Sequence, residues 1–508
     1  MLKRYKGKKI LIAGFGLEGR TTFEYLRKHG IQADIADANF SVIPAQAGIY
    51  TNKTLDSRFR GNDNTKLILG KNYLDSVTDY DVIFRSPGIS CFNPELVEAK
   101  KGGVEVTSQT RLFMEICPCK TIGITGTKGK GTASSLIYEA LKASGKDVFL
   151  GGNIGVPPIT FVDKLQKDSI AVLEFSSFQL MDLDRSPNIA VVLNITQDHI
   201  DVHANREEYV DAKKSVVQYQ TEDDFAVINI DYETPNSFRE LTKGQIWWVS
   251  TLSPVIPAPD RVEGKAPAGI QKGIDSRLRG NDRGGYGNDE NDRNDNIGGG
   301  CYVNKNDDII LSTEESEEKI ASFSELQLRG RHNLENVCAA VAAAYLGGAG
   351  LDSIREIVKN FQGLEHRLEF VAEIGGVKYY NDSFATTPET TIAALKSFDN
   401  PIILIAGGSD KGADYKEMGR VIANKAKTVF LIGAVSGKIK KKILRANPQA
   451  DIIEGYKDMN DLLERINKIA IAGDVVLLSP GCASFGLFKN YKERGELFKE
   501  AVAKLIRN

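Results

Sequence analysis

The sequence predicts an α/β protein of three successive domains, at residues 1–107, 108–365 and 366–508. Short apolar runs alternate along the chain with segments of helical spacing, glycine-rich turns follow several of these runs, and polar clusters stand where the runs end. Such alternation is typical of parallel sheets, whose ligands bind at the carboxyl ends of the strands. A length of 508 residues also suits three domains.

The first domain opens with a predicted strand, a glycine turn, a helix to His29 and a second strand at 31–37. Gly14, Gly16 and Gly19 give the spacing G-x-G-x-x-G, and Asp37 ends the second strand. This arrangement is compatible with binding of a dinucleotide or a nucleotide sugar, and also with a tight turn of structural role alone.

The segment TGTKGKGT, residues 125–132, is the strongest local signal in the chain. A β-rich run precedes it and a helix-like segment follows, so its backbone N–H groups and a helix N-terminus would point at an anion. The predicted ligand is a nucleoside triphosphate, and the candidate residues are Gly126, Thr127, Lys128, Gly129, Lys130, Gly131 and Thr132. Gly131 replaces the usual Ser or Thr after the lysine, so Thr132 must supply the magnesium-side hydroxyl. The alternative is a glycine-rich turn without a ligand.

Two later strand ends suggest a metal site. Glu174 lies in the apolar run 170–175, and Asp198-His199 follow the run 189–195. Each residue could cap its strand by a hydrogen bond, but their joint position beside the loop favours metal binding. His199 and His203 are four apart and lack a convincing third ligand, so we expect magnesium rather than zinc. Lys213, on a predicted helix at 206–220, is by itself an ordinary solvated lysine.

The octapeptide at 56–63, DSRFRGND, recurs at 275–282 as DSRLRGND. The second copy runs into a polar, glycine-rich segment that lacks the apolar residues needed for a core. We interpret residues about 40–65 and about 252–300 as surface insertions into regular α/β domains. A partner-binding role for their arginines is the alternative.

Polar clusters end several predicted strands of the third domain, at 381–383, 407–411 and 479–484. Together they predict a binding crevice at one sheet edge. Upstream, Asn333 and Asn336 lie one turn apart at the start of an alanine-rich helix, where they could bond a base or the helix start.

Composition excludes several classes of protein. A net charge of −2 and a pI near 6.3 give no general attraction to nucleic acid or anionic membranes. Six scattered cysteines predict reduced thiols, and no apolar run is long enough for a membrane span or signal peptide. We therefore expect a cytoplasmic monomer that acts on small molecules.

With these motifs in order, the chain resembles the Mur ligases of peptidoglycan synthesis. The resemblance covers nearly everything except the two insertions. It rests on TGTKGKGT, GGNIG (151–155), LEFSSFQL (173–180), TQDH (196–199), RHNLEN (331–336), GLEHR (363–367), NDSFATT (381–387), GGSDKG (407–412) and LSPGCASFGLFKNY (478–491). It implies a Rossmann-like UDP-binding domain, a central P-loop ATPase-type domain with a parallel or mixed sheet, and a Rossmann-like domain for the incoming amino acid.

The implied reaction uses ATP and Mg²⁺ to join D-glutamate to UDP-N-acetylmuramoyl-L-alanine through an acyl phosphate. The implied catalytic residues are Lys130, Glu174, His199, Lys213, Arg367 and Asp382. Arg367 and Asp382 also reach ATP, Asn333 and Asn336 meet adenine, and the metal ligands are Thr132, Glu174, His199 and Lys213, the last as an anionic carbamate. The substrate contacts are Gly14, Gly16, Asp37, Asn153 and Ser176 for the UDP-sugar, and Thr386, Lys411 and Ser484 for D-glutamate.

Two departures from the family pattern leave alternatives open. Phe384 stands where the better-known D-glutamate ligases carry lysine, which removes a cation near the site. The form GTKGKGT, with Gly131, is closer to folylpolyglutamate synthases, although the N-terminal glycine motif, SSFQL and LSPGCAS count against that activity. A non-catalytic nucleotide-sugar-binding relative is the third hypothesis.

Overall fold

A computed structural model describes residues 2–38, 65–153, 156–196, 205–252, 297–328, 330–331, 333–410, 413–484 and 488–507. His199, Lys411 and nearly all of the two predicted insertions lie outside these ranges. The later insertion, predicted to end near residue 300, overlaps a strand that already begins at Ile297. The chain divides into two compact units: Met1–Lys130, Leu141–Ile320 and Cys338–Leu351 form one, and Gly131–Ala140, Ala321–Val337 and Asp352–Asn508 the other.

The first sheet is parallel in its described strands and has the order β3-β2-β1-β4-β5. Its strands are β1 (Ile10–Ala13), β2 (Asp34–Asp37), β3 (Leu67–Leu69), β4 (Val82–Arg85) and β5 (Glu105–Thr107). The helices are α1 (Leu17–Lys28), α2 (Pro94–Lys101) and α3 (Gln109–Ile116). The strand expected from residue 31 begins only at Asp34. Central β1 is buried on both faces, as its unbroken apolar sequence requires.

The second sheet has the order β14-β13-β12-β11-β10-β9-β6-β8-β7. Its strands are β6 (Lys120–Thr125), β7 (Val148–Gly152), β8 (Ile170–Glu174), β9 (Ile189–Val192), β10 (Phe225–Asn229), β11 (Gln245–Ser250), β12 (Ile297–Val303), β13 (Asp308–Thr313) and β14 (Glu317–Ser322). Pairing is parallel from β7 to β12 and antiparallel between β12 and β13, so of the two predicted alternatives, a parallel or a mixed sheet, the sheet is mixed.

Along the chain between β6 and β15, the helices are α4 (Lys130–Ala143), α5 (Ser177–Leu180), α6 (Arg206–Gln218), α7 (Glu233–Asn236), α8 (Asn333–Leu346) and α9 (Leu351–Asn360). Strand β6 lies between β8 and β9, and all three run parallel. The carboxyl ends of these three strands therefore meet at one edge of the sheet, beside residues 125–132, the predicted phosphate loop.

The third sheet has the order β15-β16-β20-β17-β18-β19. Its strands are β15 (Glu369–Ile374), β16 (Val377–Asn381), β17 (Ile402–Gly407), β18 (Ala426–Ile432), β19 (Ile452–Ile453) and β20 (Val475–Leu478). The helices are α10 (Pro388–Lys396), α11 (Lys416–Lys425), α12 (Ser436–Ala446), α13 (Met459–Ile469) and α14 (Tyr491–Arg507). Only β15 runs antiparallel to its neighbour, so the other strand ends share one edge.

Across the described ranges, we find no helix whose length and hydropathy together would let it cross a bilayer.

Candidate active site

The phosphate loop connects the end of β6 to the start of α4. Gly126 has φ +152°, and a Cβ atom there would lie 2.8 Å from Leu193 Cβ, so glycine is required at this turn. The Lys130 ammonium donates to Gly126 O at 3.1 Å and to Thr127 O at 3.0 Å. The loop thus holds its cation over its own backbone, beside the helix N-terminus that would receive a phosphate.

Thr127 anchors the loop to the end of β9. Its N–H donates to Asn194 O at 2.9 Å, and its hydroxyl donates to Thr196 O at 3.0 Å and accepts from Thr196 N at 2.9 Å. These bonds fix the loop against the segment that leads toward His199. Of the other predicted loop residues, Lys128 is exposed, Gly129 is half-buried, and Gly131 and Thr132 are buried in the first turn of α4.

Glu174, at the end of β8, carries a buried carboxylate with one unpaired oxygen. Its side chain is 3% exposed, and Oε1 accepts a 2.7 Å hydrogen bond from Asn153 Nδ2. Oε2 is buried and has no hydrogen-bond partner within the described ranges. A buried, unsatisfied carboxylate oxygen is costly unless a cation completes it, and Mg²⁺ prefers oxygen ligands. The carboxylate therefore fits the predicted magnesium.

Lys213 of α6 is buried beside the phosphate loop. Only 1% of the residue is exposed, and Nζ donates to Gly126 O at 3.3 Å and to Thr125 Oγ1 at 3.5 Å. The same nitrogen lies 4.5 Å from the centroid of the Tyr209 ring. The local interpretation of Lys213 as a solvated lysine is wrong, because the fold turns this face of α6 toward β6.

In the first sheet, Asp37 fixes the glycine turn. Its Oδ2 accepts a 2.6 Å hydrogen bond from Phe15 N, and Gly14 N donates to Ala36 O at 2.8 Å. A Cβ at Gly19 would lie 2.0 Å from Gly14 O, so only glycine lets α1 approach the turn. Asp37 thereby fixes the backbone of Phe15, which lies between the predicted substrate residues Gly14 and Gly16.

A polar chain that sequence reasoning missed joins α1 to the start of α5. Gln179 Nε2 donates to Glu18 Oε1 at 2.8 Å, while Gln179 Oε1 accepts from Ser176 N at 3.0 Å. Ser176 Oγ accepts from Gln179 N and caps α5. Nearby, the buried Arg85 pairs with Asp182. The motif SSFQL was the available signal, but nothing in it identified Glu18 as the partner.

The second compact unit holds Asp382 and Arg367. Asp382 is 5% exposed, and its carboxylate accepts from Ser479 Oγ at 2.7 Å and from Leu368 N at 3.1 Å. Burial raises the pKa of Asp382 to about 7, and the hydrogen bond from Ser479 opposes that rise. The guanidinium carbon of Arg367 lies 4.3 Å from the centroid of the Phe384 ring, which is a cation–π contact. Phe384, which stands where related ligases carry lysine, therefore has the cation of Arg367 beside it.

Arg494 is a second residue that the sequence did not reveal. It is fully buried, and it donates from Nε to Ser383 Oγ at 2.9 Å and from a terminal nitrogen to Ser383 O at 2.8 Å. It also reaches Cys482 O at 3.2 Å. It therefore ties the strand ends after β16 and β20 together, although α14 offers no local signal for a buried arginine.

The remaining predicted residues lie as follows. Ser484 is 4% exposed after β20, and Ser409 N donates to Ala483 O at 2.9 Å, which joins the ends of β17 and β20. Thr386 is half-buried in the turn before α10. At the start of α8, Asn336 Nδ2 donates to Asn333 Oδ1 at 3.0 Å.

Family models match three parts of the chain. Residues 8–108 match the MurD-like N-terminal domain of Mur ligases, residues 124–258 the Mur ligase middle domain, and residues 366–482 the Mur ligase glutamate ligase domain.

Curated relatives match the chain along nearly its full length. A UDP-N-acetylmuramoylalanine–D-glutamate ligase from Acetivibrio thermocellus is 36% identical over 505 residues, with 98% of this chain and 97% of the relative covered. A protein of the same name from Clostridium tetani is 35% identical over 501 residues, again covering 98% and 97%.

Solved structures share the fold at low identity. The UDP-N-acetylmuramate–alanine ligase MurC from Thermotoga maritima has a TM-score of 0.52 at 16% identity, and the match covers 98% of this chain and 100% of that one. MurF from Thermotoga maritima, in complex with ADP, has a TM-score of 0.51 at 16% identity and covers 99% and 98%. A pseudomurein peptide ligase from Methanothermus fervidus has a TM-score of 0.51 at 18% identity, covering 98% and 100%.

Proposed function

The chain belongs to the Mur ligase family, and from that premise we propose that it joins D-glutamate to UDP-N-acetylmuramoyl-L-alanine at the expense of ATP. The reaction is an amide-forming ligation of peptidoglycan precursor synthesis. One observation carries the choice of substrates: the 36% identity, over 98% of the chain, to a ligase named for that reaction.

The chemistry explains why ATP is needed. A carboxylate is a poor electrophile, and its oxygen is a poor leaving group. Transfer of the γ-phosphoryl group to the alanyl carboxylate releases ADP and gives an acyl phosphate. The amine of D-glutamate then attacks the carbonyl carbon, loses a proton and expels phosphate, which leaves the amide.

Positioning and charge stabilisation are the protein's part in phosphoryl transfer. We assign the phosphates to the loop 126–132 and to Lys130, whose ammonium would leave the loop carbonyls to follow the transferred phosphoryl group. Glu174 Oε2 and the Thr132 hydroxyl would hold Mg²⁺, and we assign a second ion to His199 and to Lys213, the latter only as an anionic carbamate. When bound, these ions neutralise charge on the phosphate oxygens.

We assign the remaining residues by substrate. The residues assigned to the UDP-sugar are Gly14, Gly16, Asp37, Asn153 and Ser176. Asn333 and Asn336 are assigned to adenine, and Arg367 and Asp382 to ATP during phosphoryl transfer. The D-glutamate carboxylates are assigned to Thr386, Lys411 and Ser484. The proposed substrates are all small molecules, and we propose no nucleic-acid or membrane partner. We further propose that the protein is a cytoplasmic monomer.

A substrate panel tests the proposal. The full chain with ATP and Mg²⁺ would receive UDP-N-acetylmuramoyl-L-alanine together with single amino acids, and phosphate release and product mass would be followed. We expect phosphate release to require both the UDP-substrate and D-glutamate. L-glutamate, D-aspartate and L-alanine serve as matched comparisons.

Two other results would replace the proposal. Phosphate release with tetrahydrofolate and L-glutamate alone would assign the folate-type activity that Gly131 suggests. Binding of ATP and the UDP-substrate without phosphate release for any amino acid would assign a non-catalytic relative.

A further inference from the structure

Cys117 and Cys119 form a close pair of thiols at the end of α3, directly before β6. Their Sγ atoms are 3.6 Å apart across Pro118. Both cysteines are half-buried, whereas Pro118 and Lys120 beside them are exposed. Both cysteines pack against a hydrophobic core, yet neither is fully buried, and the exposed residues on either side bring this segment to the surface of the first compact unit.

The two thiols differ in acidity. The hydrogen bond from Cys119 lowers the pKa of the Cys117 thiol, although burial opposes this effect. The same bond and burial together raise the pKa of Cys119. Because the thiolate is the nucleophile, the lowered pKa of Cys117 favours it as the attacking thiol and leaves Cys119 as the resolving one.

The chain supplies an internal comparison. Cys301 and Cys338 also lie in contact, but each is 0% exposed. Burial raises the pKa of Cys301 well above its ordinary value, and its hydrogen bond with Cys338 adds to that rise. This pair has neither the access nor the thiolate character that exchange requires.

We propose that Cys117 and Cys119 are an oxidisable dithiol, a modification site that low-mass disulfides convert to an intramolecular disulfide. The Cys117 thiolate attacks one sulfur of the small disulfide, breaks its S–S bond and releases one small thiolate. The Cys119 thiolate then attacks Cys117 Sγ and releases the second. Two electrons pass from the dithiol to the small disulfide, which leaves as two thiols.

Closure requires the two sulfur atoms, 3.6 Å apart, to come within bonding distance. A disulfide bond is about 2.05 Å long, so the two sulfur atoms must approach by about 1.5 Å in total. Side-chain rotation is the movement that would supply such a shift, because neither cysteine is fully buried. The pair is separate from every residue assigned to the ligase, so this reaction does not depend on the proposed function.

Peptide mapping of the native full-length chain tests the proposal. The reduced protein would be incubated with oxidised glutathione, quenched in acid, alkylated with N-ethylmaleimide and digested with trypsin. Cleavage after Arg111 and Lys120 gives the peptide LFMEICPCK, which holds both thiols and no other cysteine. We expect both cysteines of this peptide to escape alkylation and the peptide mass to fall by two hydrogen atoms. The rate of this change should be at least about ten-fold higher than the rate at which Cys301 and Cys338 lose their alkylation.

Variants assign the roles of the two sulfur atoms. Cys119→Ser should stop as a mixed disulfide between Cys117 and glutathione, Cys117→Ser should slow the reaction at least about ten-fold, and Cys91→Ser, at another half-buried thiol, should change nothing. A fully alkylated peptide after incubation, or a wild-type peptide that keeps glutathione without closing, would overturn the proposal. The wild-type mapping decides this even if a serine variant fails to fold.

Discussion

Asn153 Nδ2 donates a 2.7 Å hydrogen bond to Glu174 Oε1 and leaves Oε2, the other carboxylate oxygen, without a hydrogen-bond partner among the described residues. The bond joins the end of β7 to the end of β8. Asn153, a predicted substrate residue, therefore also orients Glu174, a predicted metal ligand. Substitution of Asn153 can separate its effect on the substrate from its effect on the metal.

Removing the amide should weaken metal binding. In Asn153→Ala, Glu174 loses the bond that fixes its rotamer, so the Mg²⁺ concentration for half-maximal activity should rise about 10- to 100-fold. Magnesium titrations of phosphate release measure this. If only the KM for the UDP-substrate rises, Asn153 acts on the substrate alone.

Lys130 should be needed for turnover but not for the UDP-substrate. Its ammonium lies over the loop at Gly126 and Thr127, so Lys130→Ala removes the cation next to the phosphates. Phosphate release should fall at least about 100-fold. Calorimetry should show unchanged binding of UDP-N-acetylmuramoyl-L-alanine.

Lys142→Ala, at the far end of the same helix, is the matched control and should keep full activity. Retained turnover in Lys130→Ala would remove the phosphate loop from the mechanism.

Several elements of the fold, among them the strand and the helix that flank the candidate loop, could be predicted because short stretches of sequence determine them. The loop 125–132 has its strand before it and its helix after it, and the polar cluster predicted to end a strand at 479–484 directly follows β20, Val475–Leu478. Such elements depend on short-range periodicity and glycine positions.

The partners of buried polar residues could not be predicted in the same way. Lys213 and Lys214 are adjacent in one helix, yet Lys213 is 1% exposed beside Gly126 while Lys214 pairs with Asp211 at the surface. Arg494 bonds Ser383 across 111 residues. Only tertiary packing distinguishes these side chains from solvated ones.

Gln179 connects α1 to the segment before α5 by hydrogen bonds, and both stability and substrate binding should depend on it. Gln179→Ala loses the bonds to Glu18 and to Ser176 N, so the free energy of unfolding should fall by about 1–3 kcal/mol and the KM for the UDP-substrate should rise. Urea denaturation and steady-state kinetics measure the two effects.

Gln179→Glu sharpens the test because it sets a second carboxylate against Glu18. Burial raises the pKa of Glu18, so repulsion should grow as pH rises and both groups ionise. A variant equally stable at low and neutral pH would contradict this contact.

Phe384 should position Arg367. The guanidinium carbon lies 4.3 Å from the ring centroid, and Tyr491 meets the ring edge-on at 5.1 Å between centroids. Phe384→Leu removes the π face, so the KM for ATP should rise by about 2- to 30-fold, whereas Phe384→Tyr should stay near wild type. Equal kinetics for the Leu and Tyr variants would exclude a cation–π role.

Asp382 should make stability depend on pH. Burial raises its pKa to about 7, whereas an unfolded aspartate titrates at about 3.9. Between these values the unfolded chain releases a proton that the folded protein retains, so rising pH favours unfolding. The contribution of Asp382 to the free energy of unfolding is therefore complete below about pH 4, and it is lost as the pH rises to about 7.

Asp382→Asn removes that titration, so the difference in unfolding free energy, wild type minus variant, should decline from pH 4 to 7 and then level off. Urea denaturation at a series of pH values measures it. Ser479→Ala, which removes the 2.7 Å hydrogen bond that opposes the raised pKa, should extend the decline to higher pH. A difference that stays constant, or grows with pH, would mean that Asp382 is ionised in the folded protein despite its burial, with Arg367 and Arg494 as the cations that stabilise it.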